Sequence, residues 1–153
     1  MKIGIGSDHA GFKLKQSLIN FLEKNNYEAI DVGTFSEQSC DYPDFIIKLC
    51  KLFKEGKIKR GIFICSTGIG SAIALNKCKG IRAACVYNED MAYFSRFHNN
   101  SNVIVFGAKY TSPRKAFKLL NIWLETEFEG GRHLRRIKKI KKIEKQNLCG
   151  SNI

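Results

Sequence analysis

The sequence predicts an α/β fold, a three-layer α/β/α sandwich around a Rossmann-like sheet of five parallel strands. Three observations predict it. Five short apolar runs alternate with longer stretches of helical hydrophobic spacing, and such alternation implies right-handed βαβ units. Gly61-Ile-Phe-Ile-Cys65 is apolar on both faces, as a strand in the middle of a parallel sheet must be. No internal repeat, low-complexity tract or linker marks a second unit.

The elements follow in order. Lys2 to Gly6 reads as a strand that ends in Ser7-Asp-His-Ala-Gly11. Leu14, Leu18, Phe21 and Leu22 then recur at helical spacing, so residues 11–25 form an amphipathic helix. Glu28 to Val32 is the second strand, and 33–42 a polar loop. Pro43 suits the first turn of a helix whose Phe45, Ile46, Leu49 and Phe53 face inward. After the strand 61–65, a helix runs from about Gly70 to Cys78, followed by a strand from Arg82 to Tyr87. Asn88 caps a helix reaching Phe97, and Val103 to Phe106 is the fifth strand. Ser112-Pro113 opens a long helix with Phe117, Leu120, Trp123 and Leu124 on one face, and Gly130-Gly131 breaks it. The expected organisation is one domain over 1–145, including a basic helix from about 132, with 146–153 a short disordered tail.

Composition bounds the function. The 153 residues, 44% hydrophobic and 26% charged, suffice for one core, since domains of this size bury roughly 70% of their unfolded surface. No apolar stretch approaches the ~20 residues that span a bilayer. Asp8 comes too early for a signal-peptide core, so a cytoplasmic protein with no membrane partner is expected. Six cysteines (Cys40, Cys50, Cys65, Cys78, Cys85, Cys149) include no CxxC pair. Reduced thiols are expected, and no metal site, because zinc-ligand spacing is missing. The net charge of +12 invites a nucleic-acid reading. Residues 132–145, however, hold eight Lys/Arg against one Glu. The basicity belongs mainly to this segment, which weakens nucleic acid as a partner.

In open parallel sheets ligands bind beyond the carboxyl ends of the strands. Asp8 and His9 follow the first strand, Cys65, Ser66 and Thr67 the third, and Lys109 lies beyond the fifth. His98-Asn99-Asn100 closes the helix before that strand. A carboxylate, an imidazole and a thiol are therefore expected at one edge, as an acid–base site requires. Ser66 to Gly70 runs from a strand into a helix start, where backbone N–H groups suit an anion or a developing oxyanion. A thiol there should have its thiolate favoured. The pattern alone leaves two roles open for Cys65, proton carrier or packing residue. Neither Gly4-x-Gly6 nor Gly68-x-Gly70 continues as G-x-G-x-x-G, and Asp31 keeps a dinucleotide site only weakly in view.

SDHAGF at 7–12, VGT at 32–34, DYPDF at 41–45, CSTGIG at 65–70, NKCKGIRA at 76–83, RFHNNSNV at 96–103, FGAK at 106–109 and EGGRHLRRI at 129–137 resemble the ribose-5-phosphate isomerase B family. That family also includes galactose-6-phosphate isomerase subunits. The resemblance runs over about 1–145 in the same order. It implies an aldose–ketose isomerase that interconverts ribose 5-phosphate and ribulose 5-phosphate through a cis-enediol, with no cofactor and no metal. Cys65 would carry the proton between C2 and C1, with Thr67 assisting. Ser66, Gly68, Ile69 and Gly70 would hold the enediolate oxygens. His98 and Asp8 would open the sugar ring, and Asn99 would hold a hydroxyl. His9, Lys109, Arg132 and Arg136 would take the phosphate. The resemblance further implies a homodimer, or a tetramer, with active sites shared between subunits. A six-carbon phosphosugar (allose or galactose 6-phosphate) is the alternative substrate, and a non-catalytic phosphate- or nucleic-acid-binding module the alternative class.

The sequence departs from the family's pattern in places. Ser71 stands where relatives without the cysteine carry a glutamate, so the base falls to Cys65. Lys109 replaces the arginine of many relatives, which keeps the charge and loses the bidentate fork. Leu134, Ile137, Ile140 and Ile143 recur every three residues along the basic segment, the pattern of a helix packing on a neighbouring subunit.

Overall fold

The computed structural model describes residues 1–146. Five strands form one parallel sheet: β1 (Lys2–Ser7), β2 (Glu28–Asp31), β3 (Arg60–Cys65), β4 (Ala83–Cys85) and β5 (Val103–Gly107), in the order β2-β1-β3-β5-β4. The order reverses between β1 and β3, so the crevice of the topological switch opens where Ser7 and Cys65 end. α1 (Phe12–Lys24), α4 (Glu89–Phe97) and α5 (Pro113–Glu125) pack on one face. α2 (Tyr42–Lys54) and α3 (Ile69–Leu75) cover the other. The three-layer sandwich expected from the sequence is the one found. α6 (Gly131–Gln146) follows the glycine pair and anchors itself through buried His133 and Ile137. Gln146, expected in the tail, belongs to this helix. Residues 147–153 lie outside the described residues, and the expectation of a disordered tail falls there.

The central strands explain their composition. Ile62, Phe63 and Ile64 of β3 and Val103 to Phe106 of β5 are fully buried, because helices cover both faces. Several expected elements shorten: β2 ends at Asp31 rather than Val32, and α5 ends at Glu125, before the glycine pair. α3 stops at Leu75 rather than Cys78, since the Asn76 side chain folds back on the Ala72 carbonyl and pairs with both backbone groups of Ala83. β4 spans three residues at the sheet edge. The expectation of reduced thiols fails at one pair. Cys50 on α2 and Cys78 after α3 are joined as a disulfide, their Cα atoms 6.4 Å apart. The two helices lie side by side on one face, which brings together cysteines that sequence spacing keeps apart.

Lys15 is the least expected core residue. It sits on the inward face of α1 with its side chain wholly buried and pairs with Asp31 at the end of β2. Asp31 also accepts the Gly33 N–H at 2.9 Å. A structural role thus accounts for the residue that had kept a dinucleotide site in view. Asp31→Ala should destabilise the protein by about 3–5 kcal/mol, because it strands a buried ammonium. Urea unfolding measures this directly, and a loss under about 1 kcal/mol would mean that the pair contributes little.

Candidate active site

At the carboxyl edge, β1 and β3 end side by side, and the Asp8 N–H donates to the Ile64 carbonyl at 3.1 Å. Asp8 is buried and its Oδ1 accepts the Gly11 N–H at 3.0 Å, which fixes the carboxylate over the turn His9–Gly11. His9 Nδ1 accepts the Cys40 N–H at 3.2 Å. Cys65 is buried at the mouth of the next turn, and its Sγ accepts the Gly68 N–H at 3.1 Å. Gly68 adopts φ +78°. A side chain there would be strained and would strike Cys85 Sγ at 2.5 Å. The first backbone bond of α3 runs from Ala72 N–H to Gly68 O, so the Gly70 and Ser71 amides have no partner within the helix. The N–H groups of Ala108 and Lys109 donate to the carbonyls of Cys65 and Ser66 at 2.9 and 3.0 Å, which holds Lys109 at this edge.

Behind the turn stand residues that the sequence did not single out. The Tyr87 hydroxyl donates to the Thr67 carbonyl at 2.5 Å and lies 3.2 Å from Cys85 Sγ. The hydrogen bond with Cys85, then burial, pushes Tyr87 up to about 12, so its hydroxyl stays a donor. Burial pushes the Cys85 thiol up as well. Tyr42 lies against Gly70, where an added Cβ would meet its hydroxyl at 2.7 Å. Ser71, at the alternative base position, is fully buried, and its hydroxyl has no hydrogen-bond partner.

His98 and Asn99 are not at this edge. α4 runs back against the strands, so its last turn and the following loop arrive at the amino ends of β3 and β4. The Asn102 carbonyl accepts from Gly61 N–H, and Asn102 N–H donates to the Arg82 carbonyl. The Arg82 guanidinium holds the carbonyls of Asn99 and Asn100. Buried Arg96, lowered to about 10 chiefly by burial, grips Asn100 and the Ser101 carbonyl. The length of β3, from Arg60 to Cys65, separates this loop from Cys65, roughly 16 Å of strand. The expectation of a single edge is therefore corrected. It placed His98 by its nearness in sequence to β5 and overlooked the direction of the helix. Arg132 and Arg136, at the start of α6, share the His98 end, because the Glu129 N–H before that helix donates to the Phe97 carbonyl.

The chain thus carries two clusters of chemical groups, one at each edge of the sheet. The carboxyl edge presents a thiol, a carboxylate, an imidazole, a lysine and free amides. The amino edge presents His98, Asn99 and two arginines. Also at the amino edge, the ligand atoms of His98, Glu129 and His133 lie within 4.8 Å of one another, the one grouping among the described residues that could hold a metal ion. Glu129 and His133 are four residues apart within the motif at 129–137, in which the resemblance gave a role to the arginines alone.

No helix among the described residues is long and apolar enough to cross a membrane. The pattern of the ribose/galactose isomerase family matches residues 3–140. Ribose-5-phosphate isomerase B of Escherichia coli is 39% identical over 145 residues, covering 95% of this chain and 97% of its own. Ribose-5-P isomerase B of Listeria innocua is 39% identical over 147 residues, covering 96% and 99%. Among solved structures, ribose-5-phosphate isomerase B of Clostridium thermocellum superposes with a TM-score of 0.94 at 48% identity, covering 96% and 99%. That of Mycoplasma genitalium with bound ribulose-5-phosphate gives 0.89 at 37%, covering 95% and 97%. With the matched region spanning both edges of the sheet, the chain belongs to the ribose/galactose isomerase family.

Proposed function

We propose that this protein interconverts ribose 5-phosphate and ribulose 5-phosphate through a cis-enediol, and opens the sugar ring in the same site. The observation that carries the reading is Cys65 Sγ, held by the Gly68 N–H at the mouth of a turn whose next amides are free. The relatives named ribose-5-phosphate isomerase B support this substrate, as does the Mycoplasma genitalium structure with ribulose-5-phosphate. Cys65 as thiolate takes the C2 proton of the open aldose and returns it to C1. The Thr67 hydroxyl moves the remaining proton from O2 to O1. The amides of Gly70 and Ser71, with those of Ser66 to Ile69 not already bonded, stabilise the enediolate oxygens. Such preorganised donors are typically worth ~3–4 kcal/mol each. Asp8 accepts the anomeric hydroxyl proton while His98 protonates the ring oxygen, and Asn99 holds a sugar hydroxyl. His9, Lys109, Arg132 and Arg136 bind the phosphate.

This division of labour requires two chains. The position of His98, Asn99 and the arginines at the edge opposite Cys65 supports a homodimer in which each site takes one half from each copy. Exposed apolar residues flank both halves: Ile69 and Ile73 on α3 beside the thiol turn, and Phe94 on α4 beside His98. Leu134, Ile140 and Ile143 leave a further exposed stripe on α6. The setting is the cytoplasm, because a phosphate dianion keeps such sugars from crossing membranes unaided.

A ketopentose assay on purified protein tests the activity, with ribose 5-phosphate, allose 6-phosphate and galactose 6-phosphate compared as substrates. Ribose 5-phosphate should be turned over best, and turnover of none would end the reading. Arg132→Ala and Arg136→Ala should each raise KM at least ~10-fold, since bidentate charge-assisted bonds are among the stronger polar contacts. Alanine at Lys138, Lys139, Lys141 or Lys142 should leave KM within ~2-fold, because these exposed residues lie further along α6. The reverse pattern would move the phosphate site.

A further inference from the structure

His98 closes α4, and its ring lies among Phe94, Phe97 and His133, with centroids at 4.7, 5.4 and 4.1 Å. The His133 and His98 planes are 8° from parallel. His133 is 4% exposed, and its Nε2 lies 2.9 Å from a Glu129 carboxylate oxygen. Arg132 Nε stands 3.3 Å from the same nitrogen. The shorter contact decides the role, so His133 Nε2–H donates to Glu129. None of the steps above uses either residue.

We infer that His133, oriented by Glu129, is the positioning residue that sets the plane of the His98 imidazole for ring opening. The inference rests on the isomerase reading. A general acid must bring its nitrogen within hydrogen-bond reach of the ring oxygen. An imidazole on the last turn of a surface helix is otherwise free to rotate about its side-chain bonds. A flat, buried ring stacked on one face, with Phe94 and Phe97 beside it, removes that freedom and leaves the nitrogen-bearing edge to the sugar. His133 is itself held by the carboxylate, so the restraint passes from Glu129 through His133 to His98.

The charges agree with this division. Burial, then the neighbouring His98 charge, lowers His133, and Arg132 and Arg136 on α6 push the same way against Glu129. A metal reading of the same cluster meets a geometric obstacle. Zinc binds imidazole nitrogens at ~2.0–2.1 Å along their ring planes, whereas these rings are nearly parallel with centroids 4.1 Å apart.

The test separates ring opening from proton transfer. Turnover of ribose 5-phosphate, which is mostly cyclic, needs both. Exchange of the C1 proton of ribulose 5-phosphate into D2O needs only the second, since its phosphorylated C5 oxygen cannot close a furanose. His133→Ala should lower kcat on ribose 5-phosphate roughly 10²-fold, the scale for a reacting group misplaced by about 1 Å. Glu129→Gln, at an exposed side chain that leaves the fold intact, should lower it roughly tenfold with the same signature. In both variants KM and the C1 exchange rate should stay within about threefold, as expected when ground-state binding is untouched. Equal losses in both assays, a change confined to KM, or unchanged kcat would overturn the inference while wild-type activity stands. Loss of wild-type turnover in EDTA with recovery on added Zn²⁺ would make the three groups ligands and overturn it too. Wild-type protein silent in both assays would instead remove the isomerase reading on which the inference rests.

Discussion

Replacing Cys65 with alanine should lower turnover at least ~10²-fold, the lower range for loss of a positioned acid–base group, and leave the fold intact. The sulfur makes one polar contact among those described, with the Gly68 N–H. The change removes one sulfur atom from a buried position and frees the Gly68 amide. Neither Ser71 nor Cys85 is placed to take over the proton. Ser71 is fully buried, and its hydroxyl has no hydrogen-bond partner. Cys85 lies behind the turn, bonded to Tyr87, with its thiol pushed up by burial. C1 proton exchange of ribulose 5-phosphate should fall with turnover, because Cys65 serves the proton-transfer step itself. Alkylation of wild-type protein should inactivate it, and substrate should protect. Cys65→Ser keeps the volume and a weak acceptor but lacks an accessible anion, so it should recover little. Near-normal rates in Cys65→Ala, with a thermal midpoint unchanged, would return the thiol to a packing role.

The sheet and the thiol turn were legible because their signals are local. Period-two and period-3.6 patterns, Pro43, Asn88 and Ser112 at helix starts, and the glycines of 68–70 act within a few residues of the structure they specify. Asp8, Cys65 and Lys109 were placed correctly for the same reason, since each lies at the end of a strand or within two residues of it. His98 and Asn99 were misplaced because an edge is set by chain direction. A residue just before β5, at the end of an antiparallel-running helix, belongs to the far side of the sheet. Lys15 and the Cys50–Cys78 pair were illegible because each depends on a partner from another element. Glu129 and His133 stood inside a recognised motif, yet only the stacked geometry shows what they touch. Local pattern thus carried the scaffold, and long-range packing decided which chemical groups meet.

Mixing two inactive variants should therefore restore activity. In a two-fold symmetric dimer each patch meets its complement on the other copy. One site then combines Cys65 of the first chain with His98 of the second, and its twin the reverse. Cys65→Ala and His98→Asn should each be poor isomerases alone, the first in proton transfer and the second in ring opening. A mixed dimer holds one site with both defects and one with neither. Random reassociation of equal amounts makes half the dimers mixed, so about a quarter of all sites should be intact, with about a quarter of wild-type turnover. The recovered activity should keep the wild-type KM, because the intact site also has its own His9 and Lys109 together with the partner's arginines. The measurement needs chains that exchange, through mild denaturation or co-expression with two affinity tags. Doubly tagged dimers should then show about half of the wild-type rate. A verified mixed dimer with no more activity than its parents would mean that Cys65 and His98 do not meet across subunits. With His98 roughly 16 Å of strand away from Cys65 in its own chain, ring opening would then have to come from another residue at the carboxyl edge. His9, the imidazole already beside Asp8, would be the first to replace.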